Sequence, residues 1–164
     1  MFEGRRIAAD LREAIDEIVE MVLAAPEERS ARRPAPGDWC AREVIGHLID
    51  SACNNHRRFI VNQSAGRLAI DEYDQNAWVE RQHYAQQPAA RLVALWAVYN
   101  RHLADVIEQI PGDVLNLGRG SLADFRFEYI ATEGGDATLG HVAADYVGHI
   151  RHHLSEIREL LSRP

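Results

Sequence analysis

LGHVAADYVGHIRHHLSEIRELL, residues 139–161, is the stretch on which the reading of this chain turns. Taken at alternating three- and four-residue steps, it puts Leu139, Val142, Tyr146, His149, His153, Glu156 or Ile157, and Leu160 on one face, the stripe of a helix that buries one side. Thr138 stands where an N-cap belongs, and the periodicity runs to about Leu161. Three more stretches carry the same signature. Residues 7–24 align Ile7, Leu11, Ile15, Ile18, Met21 and Val22 before Pro26 stops them. A second helix is predicted from about Cys40 to Ser64, with Asp38 as a candidate N-cap and Gly66 just past its end. Pro88 opens a third, whose stripe runs through Leu92, Leu95, Trp96, Tyr99, Leu103, Val106 and Ile110 until Pro111-Gly112 closes it.

The connections are of a different character. Residues 26–38 hold three prolines and a glycine and read as loop; 65–87 are mixed, with a short helix around Asp74 to Arg81. Residues 112–136 read as loop, with a brief extended piece at Phe125 to Ile130. No alternating pattern is long enough to build a sheet. The prediction is an all-α, up-and-down or crossover four-helix bundle.

Composition narrows the function. The chain has 164 residues, 46% hydrophobic and 26% charged, so one soluble globular domain over residues 1–164 is expected. Its formal net charge of −7 argues against a nucleic-acid partner, since surfaces that bind a phosphate backbone are usually basic. All 18 basic residues are arginine. A lysine Schiff base, the usual pyridoxal chemistry and a P-loop are therefore excluded. The chain lacks an apolar run long enough to span a membrane, and acids occupy the place of a signal peptide's apolar core, so a cytoplasmic protein is expected. Cys40 and Cys53 form no CxxC pair and suggest no disulfide framework.

What stands out is where the stripes stop being apolar. His149 and His153, four apart, project from one face about one turn from each other, the spacing by which a helix gives two nitrogens to one metal ion. On the second helix the apolar positions Val44, Ile45, Leu48, Ala52, Phe59 and Ile60 surround His47, Ser51 and Asn55, which share a face. A lone histidine on such a face is ordinarily a satisfied core or boundary residue. Burying three without partners costs several kcal/mol, which one metal ion would relieve for all of them. The pair is not HEXXH, so a metalloprotease's built-in base is missing. His152 lies about 100° round the helix and is not counted as a ligand. His56, His83, His102 and His141 read as surface or boundary residues, and Trp78 and Trp96 as core.

Trp39, HLIDS at 47–51 and GHIRHHL at 148–154 together resemble the DinB-like family of bacterial metal-binding four-helix bundles, which includes YfiT-like hydrolases. The resemblance implies an up-down-down-up bundle with long loops. It carries the family's metal ligands onto His47, His149 and His153, and a divalent ion, zinc or nickel, as cofactor. Relatives with assigned chemistry act on small molecules, some with a low-molecular-weight thiol as cosubstrate. The chain departs from the family pattern at Cys40 after Trp39 and at Val147-Gly148, which bears on the substrate rather than the metal.

Two reactions fit a three-nitrogen site with an open position, hydrolysis and thiol-dependent transfer; a non-catalytic metal- or ligand-binding bundle and a bundle with histidines kept for packing or pH response remain as alternatives. Asp50, Asp145 and Glu156, each within about a turn of a histidine, are candidates to orient an imidazole or act as base, and Asp50 leads because the family motif includes it. Asn54, Asn55 and Arg58 continue the second helix beyond the site, with Asn54 and Arg58 singled out for substrate binding. Bundles of this kind often pair through exposed apolar helix faces, so the resemblance implies a homodimer.

Overall fold

The structure is a computed structural model and describes residues 1–163. Four long helices dominate: α1 (Gly4–Ala24), α3 (Ala41–Val61), α5 (Ala89–Gln109) and α7 (Leu139–Ser162). Shorter ones, α2 (Glu27–Ser30), α4 (Gln75–Gln82) and α6 (Gly112–Asn116), sit in the connections. Among the described residues there is no strand, and the extended piece expected at Phe125 to Ile130 is irregular backbone. An isolated bridge joins Ser121 and Asp136.

Side-chain contacts fix the directions of the long helices. Arg12 bonds Asp105 and Glu108 at 2.7 Å each, and Arg101 bonds Asp16, so α1 and α5 are antiparallel. Arg151 reaches Glu13 and Arg158 reaches Glu17, so α1 and α7 run parallel. Ser51 meets His149 while Phe59 meets Tyr146, which makes α3 antiparallel to α7. Arg42 meets Ala85, just ahead of α5, and His56 meets Tyr99, which makes α3 parallel to α5. The order is up-down-down-up. α1 packs on α5 and α7, as does α3, so α1 lies diagonally across the bundle from α3, and α5 from α7. The exposed ion pairs contribute at most about 1 kcal/mol each. Burial holds the bundle together, with Leu11, Ile15, Ile45, Trp96, Leu103 and Ile150 all fully enclosed.

Parallel α3 and α5 force a crossover along the bundle. Residues 62–88 make it, and its last turn buries Tyr84 against α3 at Gly46. Residues 110–138, the return segment, join the end of α5 to the start of α7. Buried Arg119 ties the two connections together, donating to the carbonyls of Ala65 and Val114 while its own carbonyl accepts from Leu68.

Several expectations need correction. α3 is capped at Cys40, whose amide donates to Glu43 at 3.0 Å, rather than at Asp38, and it ends at Val61. Leu95 and Ile60 are 56% and 50% exposed, so neither belongs to its stripe. On α5, Val93 and Ile107 point inward, because α5 is covered on two sides, by α1 and α3, and its buried face is wider than one stripe. Trp78 is half-buried beside Tyr73. Thr138 does cap α7, accepting from the His141 amide.

Gly46 is the tightest joint between crossover and bundle. A β-carbon there would lie 2.0 Å from the Tyr84 ring. Gly46→Ala is expected to destabilise the protein by about 1–3 kcal/mol through overpacking, read as a lower denaturant midpoint. An unchanged midpoint would show that Tyr84 does not hold the crossover down.

Candidate metal centre

α3 and α7 are amphipathic except where they face each other near the middle of the bundle. There His47 on α3 meets His149 and His153 on α7. The Nε2 atoms of His47 and His149 are 3.1 Å apart, and one ring nitrogen from each of the three lies within 4.8 Å of the others. Two nitrogens held at about 2.0–2.1 Å by one tetrahedral ion must be roughly 3.3 Å apart, so the spacing suits a divalent metal.

Each Nδ1 has a partner directed away from the cluster. Glu156 takes that of His153 at 2.6 Å, Ser51 Oγ lies 3.4 Å from that of His149, and Tyr73 Oη lies 3.4 Å from that of His47. Such partners fix the tautomer, and the Glu156 carboxylate leaves the Nε2 lone pair of His153 facing the centre. Trp39 packs against His47 at 5.3 Å between ring centroids. The donor set fits a metal: three nitrogens, buried or half-buried, converging from two rigid helices. A second set, His152, His153 and Glu156, is also compact, but His152 is exposed and the Nδ1 of His153 is already bonded to Glu156.

The electrostatics favour neutral imidazoles. Burial, reinforced by His153, pushes His47 down to about 4. The same two causes depress His149 further. Glu156 is held below the ordinary carboxylate range, first by its hydrogen bond with His153. His47 and His149 are therefore neutral imidazoles near pH 7, the state in which imidazole ligates a metal.

The other candidates fall into different places. Asp50 is buried, but Oδ1 accepts from Tyr84 and Gln82 at 2.7 Å each and Oδ2 has no partner. It faces the crossover rather than the histidines, and burial raises its pKa. Asp145 accepts from the Tyr129 amide at 2.7 Å, and burial raises its pKa as well. Of the three carboxylates proposed to orient a histidine, Glu156 is the one hydrogen-bonded to one. Asn54 bonds back to the Asp50 carbonyl.

A cavity of about 280 Å³ opens beside the histidines, and Asn55 and Arg58 line it where Asn54 does not. The connections close it, Tyr73 from the crossover and Phe127 and Tyr129 from the return segment. Tyr129 packs on His149 at 5.2 Å, and Gly148 admits its backbone, since a β-carbon would lie 2.6 Å from Tyr129 Cβ. Tyr73 and Tyr129 were not singled out from the sequence, because they lie in stretches without periodicity.

The family model of the DinB superfamily matches residues 10–157. In Bacillus subtilis (strain 168), the protein named "Putative metal-dependent hydrolase YfiT" is 27% identical over 161 residues, covering 96% of this chain and 79% of that protein. A relative from Oceanobacillus iheyensis, named "Putative metal-dependent hydrolase OB0782", is 25% identical over 99% of this chain and 92% of its own length. The solved structure of YfiT from Bacillus subtilis, described as having an unusual four-helix bundle topology, superposes with a TM-score of 0.76 at 22% identity, over 96% of this chain and 85% of that one.

The depressed histidines make the metal-free protein acid-sensitive. Above the ordinary value of 6.5 both are neutral, folded or unfolded; below it the unfolded chain takes up the protons first. Stability is therefore expected to fall as pH drops from 6.5 towards about 4, by up to about 1.4 kcal/mol per pH unit for each histidine. The raised Asp50 and Asp145 oppose this, since the folded state takes up their protons before the unfolded chain does. Thermal melts of chelator-treated protein read it directly, and a flat midpoint between pH 7 and pH 5 would contradict it.

Proposed function

The chain belongs to the DinB superfamily, and we propose that it is a metal-dependent hydrolase of a small molecule, with a divalent ion held by His47, His149 and His153. The observation that carries this reading is the convergence of three imidazoles whose outer nitrogens are already partnered. The naming of relatives as metal-dependent hydrolases supports it, and favours hydrolysis over transfer to a low-molecular-weight thiol. Zinc and nickel both suit three imidazoles, and supply decides between them.

When bound, a divalent ion supplies Lewis acidity, polarising a carbonyl or phosphoryl oxygen. The chain's own residues do the rest. Glu156 holds the ring of His153 in place through Nδ1. Asp145 lines the cavity with His149, and its raised pKa suits it to exchange a proton there. That gives it the role first considered for Asp50, which instead anchors Tyr84 and the crossover. Tyr129 and Phe127 screen the centre from water on the side of the return segment.

Elemental analysis is expected to find about one divalent ion per chain in protein purified without a metal column or chelator, and almost none in His149→Ala. Glu156→Gln is expected to weaken metal affinity roughly 10- to 100-fold while the helical circular dichroism stays intact. Unchanged stoichiometry in a folded His149→Ala would overturn the ligand assignment. Asp145→Asn is expected to keep its metal and lose turnover of 4-nitrophenyl esters by about 10²-fold or more. Full turnover would remove Asp145 from the mechanism, and a rate that requires added thiol would replace hydrolysis with transfer.

A further inference from the structure

His47, Ser51, Asn55 and Arg58 follow one another along α3 at steps of four, four and three, and all four line the cavity beside the histidines. Arg58 is the far end of this stripe, about 16 Å along the helix axis from His47. Its guanidinium-bearing side chain is half-buried, and it shares the wall of one cavity with His47 and His149.

The bonds of that guanidinium go to neutral acceptors, Asn55 Oδ1 at 3.4 Å and the backbone carbonyl of Asp71. Among the described residues no carboxylate lies within 4.0 Å of it, although Asp71, Asp145 and Glu72 act on it at longer range. Of its five N–H donors, those two bonds occupy two. The other cation at the cavity, Arg126, is exposed and paired with Glu128 at 2.7 Å. Asp145 is taken up by the Tyr129 amide. Arg126 and Glu128 are thus paired with each other and Asp145 is bonded to the Tyr129 amide, which leaves Arg58 and the exposed Glu72 at the rim without an ionic partner within 4.0 Å among the described residues. Ile70, Phe127 and Val142 add apolar surface to the same cavity.

We infer that the cavity selects small molecules with an apolar body and an oxyanion, carboxylate or phosphate, which docks on the Arg58 guanidinium while the reacting group lies at the three histidines. The inference deepens the hydrolase reading and rests on it for the position of the reacting end. The planar fork of a guanidinium pairs two N–H donors with two anionic oxygens, and partial burial strengthens that pairing relative to open water. The substrate class is therefore an ester or amide that carries a separate acidic group.

The test is calorimetric titration of the metal-loaded protein with 4-phenylbutyrate, its neutral amide, and 3-phenylpropyl phosphate, the last ranking phosphate against carboxylate. At least one of the two anions is expected to bind about tenfold more tightly than the amide. Arg58→Gln is expected to erase that preference while metal content and melting midpoint stay unchanged, and Arg58→Lys to restore part of it. The inference fails if the wild-type protein binds the amide as tightly as both anions, or binds none of the three. It fails equally if Arg58→Gln keeps the preference, because the anion would then sit on the metal. Absent ester turnover with an Arg58-dependent preference intact would remove the hydrolase reading and leave the anion site standing.

Discussion

Imidazole nitrogens inside a helical bundle must be bonded or ligated, and this requirement organises the rest of the molecule. Three such rings interrupt the contact between α3 and α7 where apolar side chains would otherwise interlock. Leaving them unpaired would cost several kcal/mol in a protein whose net stability is itself of that order. The structure meets the demand in two layers. Ser51, Tyr73 and Glu156 take the outward nitrogens, and the inward ones converge. Burial then keeps His47 and His149 neutral, so the same desolvation that makes the cluster costly without metal prepares it for one.

The up-down-down-up order supplies the site with its walls. Two neighbouring helices running the same way cannot be joined by a tight turn, so the chain must travel the length of the bundle between α3 and α5. That travel supplies Tyr73 and Tyr84. The return segment before α7 supplies Phe127 and Tyr129. Gly46 and Gly148 let these segments approach the helices closely, each at a position where a β-carbon would collide with a tyrosine. Asp50 shows the same economy. Its place in HLIDS, next to the site in sequence, serves to fasten the crossover through Tyr84 and Gln82.

Much of the fold was legible because helical periodicity is local. The stripe through Ile7, Leu11, Ile15 and Ile18, the Thr138 cap and the breaks at Pro26 and Pro111 depend on residues a turn or less apart, and each recurs in the structure. The stripe on α5 was less legible. Leu95 was expected inward and faces solvent, while Val93 and Ile107 are buried, because two packed neighbours widen the buried face beyond a single row. The cap at Cys40 likewise depends on Glu43 reaching back rather than on the type of the capping residue.

By itself the sequence determined the four amphipathic helices, and it singled out His47, His149 and His153 as polar residues on faces that had to be buried. Those are consequences of spacing along one chain, where a step of three or four residues is a step along one face. Only the tertiary structure decided that the three rings meet, that Glu156 rather than Asp50 steadies one of them, and that Asn55 and Arg58 reach the cavity while Asn54 turns back to its own helix. Contacts between residues about 100 positions apart depend on how α3 and α7 are rotated against each other. That rotation is set by the packing of the whole core and leaves no mark in any local pattern.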